Sequence, residues 1–379
     1  MSRNGQGVLI MAGGTGGHIF PGLAVADRLQ HAGVPVRWLG ARGGMECSKV
    51  PPANIPLDVV DISGLRGKGA ARWLVMPFKL LRAVYQAFRL LGEHRPACAV
   101  SFGGYAAGPG GLAARIRGIP LLVHEQNRIP GMTNRTLARF ASRVLQAFPG
   151  SWEDKFKPLT CGNPVRESVV NLQAPEQRYA GREGPLRLLL TGGSQGALAL
   201  NRLLPNAIGL LNGELEIEIR HQAGPRWVEE TTEIYRKAGI VLCGSGVSRD
   251  TKEEHREEQD IAAHAAPTCS VAVTDFITDM AAAYAWADVV VCRAGALTVS
   301  EVAAAGVAAL FIPFPHAVDD HQTRNAEFLV ENDAALLLQE SQTDARKLAN
   351  ALSSLAGDRA RLATMAARGR AVAVPDSAS

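Results

Sequence analysis

A chain of 379 residues, 47% hydrophobic and 20% charged, has the length of two domains and the composition of an ordinary globular protein, which excludes a disordered or fibrous chain. No uncharged apolar run reaches the 18 residues of a membrane span, the run at 8–12 is too short for a signal peptide, and the cysteines (Cys47, Cys98, Cys161, Cys243, Cys269 and Cys292) form no C-x-x-C pair, so reduced thiols in a cytosolic protein are expected. The net charge of +4 hides an asymmetry: residues 1–163 carry 20 Lys+Arg against 8 Asp+Glu, residues 164–379 carry 20 against 28, and the stretch 62–150 carries 13 against 2, which points to an anionic partner for the first half.

In chain order, the hydrophobic pattern predicts strands near 7–12, 34–39, 57–60, 98–102, 119–123 and 143–147, with helices near 18–31, 72–91, 106–117 and 131–140. Thr160-Cys161-Gly162-Asn163-Pro164 then breaks the pattern and sets an expected boundary between domains 1–163 and 164–379. The second half repeats the alternation, with strands near 186–191, 215–221, 271–273, 288–292, 308–312 and 334–338. Alternating strands and helices imply parallel sheets covered on both faces, so two doubly wound, Rossmann-like domains are expected. Residues 244–270 depart from this. The segment 249–260 is crowded with charge and has no apolar period, as expected of a solvent-exposed insertion.

Small-residue turns follow four of the strands. They read Ala12-Gly13-Gly14-Thr15-Gly16-Gly17-His18, Gly103-Gly104-Tyr105-Ala106-Ala107-Gly108, Thr191-Gly192-Gly193-Ser194-Gln195-Gly196-Ala197 and Cys292-Arg293-Ala294-Gly295-Ala296. Glycine lets a backbone approach a ligand closely, and the helix that follows offers free N–H groups to an anion. The first turn is not a dinucleotide fingerprint: counted from Gly14, the third glycine would fall at Ile19, and no acid closes the strand that ends at Gly40. No G-x-x-x-x-G-K-[ST] motif and no D-x-D acidic clamp occurs, so neither a P-loop nor a resident metal is expected.

His18 falls in the first turn of a helix, whose dipole disfavours the imidazolium and leaves a neutral ring able to accept a proton. The polar quartet His124-Glu125-Gln126-Asn127 and the run Asp319-Asp320-His321-Gln322 each follow an apolar strand; the quartet fits a ligand edge or hydrogen bonding within the loop, and the run fits a ligand edge or an acidic helix N-cap. Between Arg72 and Leu91, large apolar side chains alternate with Arg72, Lys79, Arg82 and Arg89 without one acid, a pattern that fits either a core helix or a helix resting on an anionic bilayer.

These blocks, with Gln146-Ala147-Phe148-Pro149-Gly150, Gly162-Asn163-Pro164-Val165-Arg166, 281–301 and 313–325, resemble the MurG family of peptidoglycan glycosyltransferases along nearly the whole chain. The resemblance implies the GT-B fold, two Rossmann-like domains facing across a cleft. It implies transfer of N-acetylglucosamine from UDP-GlcNAc, with inversion, to the C4 hydroxyl of undecaprenyl-diphosphate-MurNAc-pentapeptide, giving lipid II. It places uracil at Ile277, the ribose at Glu301 and the diphosphate at Ser194 with its glycine loop, and it completes the UDP site with Arg166 and the turn Ala296, Leu297, Thr298, Val299 and Ser300. Gln322 and Asn127 would touch the sugar near Thr15, Gly16 and Gly17, and His18 would be the base. It implies work at the cytoplasmic face of the bacterial inner membrane, on an anionic surface and beside other cell-wall synthesis proteins, with no cofactor and no nucleic acid. Family members usually continue into a last helix beyond the segment resembling 373–376, which this chain is expected to lack. Another UDP-sugar lipid glycosyltransferase and a non-catalytic UDP-sugar-binding protein are the competing readings.

Overall fold

The computed structural model describes residues 7–62, 71–193, 195–211, 213–243 and 269–374, with the side chains of 71–75 and Val318 left aside. The charged segment at 249–260 therefore lies outside the described residues. The chain forms two compact units, one built on the residues through Arg166 together with Gly295–Ser300, the other on Glu167–Ala294 and Glu301–Ala373.

The first sheet contains β1 (Val8–Ala12), β2 (Val36–Ala41), β3 (Leu57–Val60), β4 (Cys98–Gly103), β5 (Leu121–Glu125), β6 (Arg143–Gln146) and β7 (Leu159–Thr160) in the spatial order β3-β2-β1-β4-β5-β6-β7. The second contains β8 (Leu186–Thr191), β9 (Ile217–Gln222), β10 (Val241–Leu242), β11 (Cys269–Thr274), β12 (Val289–Cys292), β13 (Ala308–Phe311) and β14 (Ala335–Leu337) in the order β10-β11-β9-β8-β12-β13-β14. Every strand pair in both sheets is parallel, and this is the two-domain α/β GT-B architecture. The unpredicted strands, β7 and β10, have two residues each and lie at sheet edges, too short to show a period.

A parallel sheet is covered on both faces, so its strands read as continuous apolar runs. The runs Val-Leu-Ile-Met-Ala in β1, Val-Val-Val-Cys in β12 and Ala-Ala-Leu-Phe in β13 are buried throughout. Alternate residues serve opposite faces. Leu9 and Met11 pack with Leu39, Ala83, Ala87 and Leu91 on one side, while Val8, Ile10 and Ala12 pack with Trp38 and Ile19 on the other. In the second unit Leu186, Leu188 and Leu190 meet Leu204 and Ile208 of helix Leu198–Leu211 and Leu352 and Leu355 of helix Ala345–Ala356.

Buried arginine closes helix ends in the second unit. Arg178, 8% exposed, donates from Nε to Gln173 O, from Nη1 to Tyr284 O, and from Nη2 to the carbonyls of Ala305 and Gly306. The last carbonyls of helices Met280–Trp286 and Ala296–Ala305 have no intrahelical partners and stand at negative dipole ends, so a cation that bonds both stabilises two helices at once.

Two buried histidines make stability depend on pH. His124 Nε2–H donates to Gly162 O at 2.9 Å, and burial pushes the ring down to about 4. His221, 0% exposed, lies between Tyr235 Oη at 2.9 Å and Asn201 Oδ1 at 3.0 Å, and burial pushes it down to about 3. The unfolded chain takes up protons on both near pH 6.5 while the folded chain refuses them. Stability is therefore lost as pH falls below 6.5, until the folded values are reached, at up to about 1.4 kcal/mol per pH unit for each ring. Urea unfolding at pH 5 should show each unit weaker by about 2 kcal/mol than at pH 7.5 on this account; equal midpoints at the two pH values would mean that the rings are not held neutral.

Candidate functional site

In a doubly wound sheet, ligands bind beyond the carboxyl ends of the strands where the strand order reverses. In the first sheet that place lies between β1 and β4, in the second between β8 and β12. The four small-residue turns of the sequence follow these four strands.

In the first unit the two turns touch through bare backbone. A Cβ on Gly104, whose φ is +93°, would stand 2.3 Å from Gly13 O, so only glycine fits there. Thr15 is the exposed N-cap of helix Gly16–His31, and Gly16 and Gly17 form its first turn. His18 is half-buried on that turn. Its Nδ1 lies 3.1 Å from Gly13 O and 3.4 Å from Thr15 Oγ1. A carbonyl only accepts, so Nδ1 carries the hydrogen and the ring's lone pair lies on Nε2. Gly103 leaves that edge open, because a Cβ there would sit 3.2 Å from His18 Nε2. Tyr105, 47% exposed, follows on the same turn.

The quartet at the end of β5 divides into braces and one reachable side chain. His124, Glu125 and Gln126 are buried, and only Asn127 is half-exposed. Glu125 Oε1 accepts from Asn127 N at 3.1 Å and Asn127 Nδ2 at 3.2 Å, while Oε2 accepts from Gly131 N and Asn134 Nδ2. Asn134 Oδ1 in turn accepts from Ser101 Oγ at 2.9 Å, which ties this loop to the end of β4. Of the quartet, Asn127 alone is reachable from solvent, whereas the other three members are buried and fix the loop that carries it. Arg166 is exposed at the end of the first unit.

In the second unit the turn after β8 rests on the turn after β9. A Cβ on Gly196, φ +72°, would lie 1.9 Å from Ala223 O. Asn201 Nδ2 holds that same carbonyl at 2.8 Å, and Asn201 is itself held by His221. Ser194 lies outside the described residues. Gln222 bridges two loops: its Nε2 donates to Gly193 O at 3.0 Å, and its Oε1 accepts from Ile277 N at 3.4 Å. After β12, Ala296, Leu297, Thr298, Val299 and Ser300, which belong to the first compact unit, form the opening turns of helix Ala296–Ala305, with Ala296 and Val299 buried and the other three half-buried. Glu301 is next on that helix, half-buried, and its Oε2 accepts from Tyr284 Oη at 3.3 Å.

Beyond β13, Asp319 and Asp320 hold φ values of +53° and +50°, a left-handed pair that costs energy for residues with a Cβ. Such strain concentrates at working loops, and this one delivers Gln322, whose Oε1 accepts from Phe314 N at 3.0 Å. Arg293 spans the ends of β12 and β13 by donating to Ile312 O and Pro313 O, and it pairs with Glu340 at 2.5 Å. Gln222, Glu46 and Tyr284 carry no motif and were not singled out from the sequence. Their significance lies in which loops they join.

Comparison with known proteins agrees with this geometry. Residues 8–146 match the glycosyltransferase family 28 N-terminal domain and residues 187–379 match the family 28 C-terminal domain. The chain is 50% identical over 371 residues to a protein of Xanthomonas euvesicatoria named UDP-N-acetylglucosamine–N-acetylmuramyl-(pentapeptide) pyrophosphoryl-undecaprenol N-acetylglucosamine transferase, covering 98% of this chain and 78% of that one. A protein of the same name from Marinobacter nauticus is 47% identical, with 97% and 94% covered. The crystal structure of Acinetobacter baumannii MurG superposes with a TM-score of 0.81 at 40% identity, covering 98% of this chain and 97% of that one. With both halves matched to one family and about half of all positions shared along nearly its full length, the chain belongs to glycosyltransferase family 28 and, within it, to the MurG family.

Proposed function

We propose that this chain transfers N-acetylglucosamine from UDP-GlcNAc to the C4 hydroxyl of N-acetylmuramyl-(pentapeptide) pyrophosphoryl-undecaprenol, lipid I, to give lipid II for peptidoglycan synthesis. The observation that carries the reading is the full-length likeness to transferases of that name, joined to glycine turns at both switch points. Incubation with UDP-GlcNAc and a short-chain lipid I analogue should yield the β-linked disaccharide lipid and UDP. Release of UDP without the disaccharide, or no loss of donor, would overturn the reading.

In this mechanism the turns after β8 and β12 of the second sheet take the nucleotide. The N–H groups opening helix Ala296–Ala305 bind the diphosphate, Ser194 is a further candidate for the same role, and Arg166 adds a cation. Glu301 accepts the ribose hydroxyls, and the backbone of Ile277 reads uracil. Gln322 of the second unit contacts the transferred sugar, and Asn127, Thr15, Gly16 and Gly17 are the first unit's candidates for sugar contacts. His18 Nε2 takes the proton of the attacking hydroxyl, and the leaving UDP gains negative charge where helix N-termini and Arg166 stabilise it. The anomeric carbon inverts in one displacement, so no covalent enzyme intermediate forms.

Glu301→Ala should weaken UDP binding by about 1–3 kcal/mol, the worth of a hydrogen bond to a charged group. Calorimetry that finds equal affinity for UDP would remove Glu301 from the ribose site. His18→Ala should lower kcat by about 10²–10⁴ and leave UDP affinity nearly unchanged. Near-normal turnover in a variant with a native circular dichroism spectrum would return His18 to a structural role.

The first unit is the membrane-facing one in this reading, at the cytoplasmic face of the inner membrane. Among the described residues no helix is long and apolar enough to cross a bilayer. Helix Ala71–His94 packs its small face, Ala83 and Ala87 with Leu91, on the sheet layer and turns Phe78, Leu81 and Tyr85 outward at 72%, 66% and 63% exposure. Lys79, Arg82 and Arg89 flank this apolar stripe and are exposed. An apolar stripe edged by cations suits an anionic lipid surface. The protein should sediment with anionic vesicles, and salt should release it in part, because surface charge is screened over roughly 8–10 Å. Changing Phe78, Leu81 and Tyr85 together to Ser should cut vesicle binding at least about tenfold, since each large apolar side chain is worth about 1.5–3 kcal/mol when buried. Unchanged sedimentation of that variant would make the stripe ordinary surface.

A further inference from the structure

Glu46 is the first residue of the short helix Glu46–Lys49 after β2, and it is 0% exposed. A buried carboxylate costs several kcal/mol unless its oxygens are well bonded, so its bonds show what it is kept for. Oε1 accepts from Ala41 N at 2.7 Å, and Oε2 accepts from Gly14 N at 3.2 Å. The backbone is shaped around the group: a Cβ on Gly13 would lie 2.4 Å from Oε1, and one on Gly40 would lie 2.5 Å from Cγ. No cation is recorded among its partners in the described structure; both oxygens are spent on backbone N–H groups.

Gly14 N belongs to the same peptide group as Gly13 O, and Gly13 O is the acceptor of His18 Nδ1–H at 3.1 Å. One amide plane thus stands between a carboxylate and an imidazole. A carboxylate that accepts from an amide N–H draws that hydrogen toward itself and adds negative charge to the carbonyl oxygen at the amide's other end. The oxygen then accepts more strongly from Nδ1–H, which holds the ring in one orientation and keeps the lone pair on Nε2. We infer that Glu46 is a positioning residue for His18, acting through the Gly13–Gly14 peptide as a carboxylate acts directly in a carboxylate–histidine pair. The inference rests on the reading of His18 as the base, though the tautomer it requires can be observed without turnover.

The test uses the full chain labelled with ¹⁵N-histidine, with the His18 signals identified by their loss in His18→Ala. Long-range ¹H–¹⁵N spectra of the wild-type protein at neutral pH should show Nδ1 protonated and Nε2 bare; the opposite tautomer would overturn the inference whether or not any variant folds. Glu46→Gln keeps the volume but turns an N–H donor toward one of the two backbone N–H groups. It should give a mixture of His18 tautomers, a kcat lower by about tenfold to a hundredfold, the usual effect of losing the partner that orients a working histidine, and a KM for UDP-GlcNAc within about twofold of wild type. Glu46→Asp, which keeps the charge, should recover part of the loss. A folded Glu46→Gln variant with the wild-type tautomer and wild-type kcat would refute the proposal. Normal turnover in His18→Ala would instead refute the base assignment and leave the tautomer result intact.

Discussion

Backbone packed directly on backbone, with no space for one Cβ, is the constraint on which the rest of this protein depends. At the switch point of the first sheet it is Gly104 against Gly13 O, and beside that of the second it is Gly196 against Ala223 O. Each contact brings two loops together at the carboxyl edge of a sheet. A diphosphate is large, planar nowhere and heavily charged, and bare backbone donors suit it better than side chains that must first be ordered.

Such loops have few side chains of their own to hold them, so the fold also holds them from beneath. Glu46 bonds the first glycine turn and Glu125 bonds the Asn127 loop, both as buried carboxylates that accept backbone N–H groups. In the second unit the chain Tyr235–His221–Asn201 ends on the Ala223 carbonyl, and Gln222 joins the loops after β8 and β11. Arg178 secures the far end of helix Ala296–Ala305, whose near end opens with the turn assigned to the nucleotide. Preorganisation of this kind lets fixed dipoles meet developing charge without reorganisation at the moment of reaction.

The strand pattern was legible because parallel strands are buried on both faces and leave continuous apolar runs such as Val289–Cys292. The switch-point turns were legible because glycine clusters after strands are few and have a mechanical reason. The braces were not. Glu46 in sequence is an acid in a polar turn, and nothing near it in the chain says that its oxygens reach Ala41 and Gly14 at once. For His124, Glu125 and Gln126 the sequence leaves ligand contact and loop bracing both open, because polar residues at a strand end suit both roles, and burial alone separates them. Helix Ala71–His94 posed the same difficulty in reverse. Small residues at 83 and 87 form its packed face, so the large apolar side chains at 78, 81 and 85, which hydropathy assigns to a core, face outward.

On this reading the turns after β8 and β12 cradle the nucleotide, while those after β1 and β4 serve the acceptor. Hydrogen–deuterium exchange of the full chain with and without saturating UDP tests it most directly. The account predicts slowed exchange of amides in 192–197 and 295–301 and unchanged exchange in 13–18 and 103–106. Protection confined to 13–18, with none at 192–197 or 295–301, would contradict it.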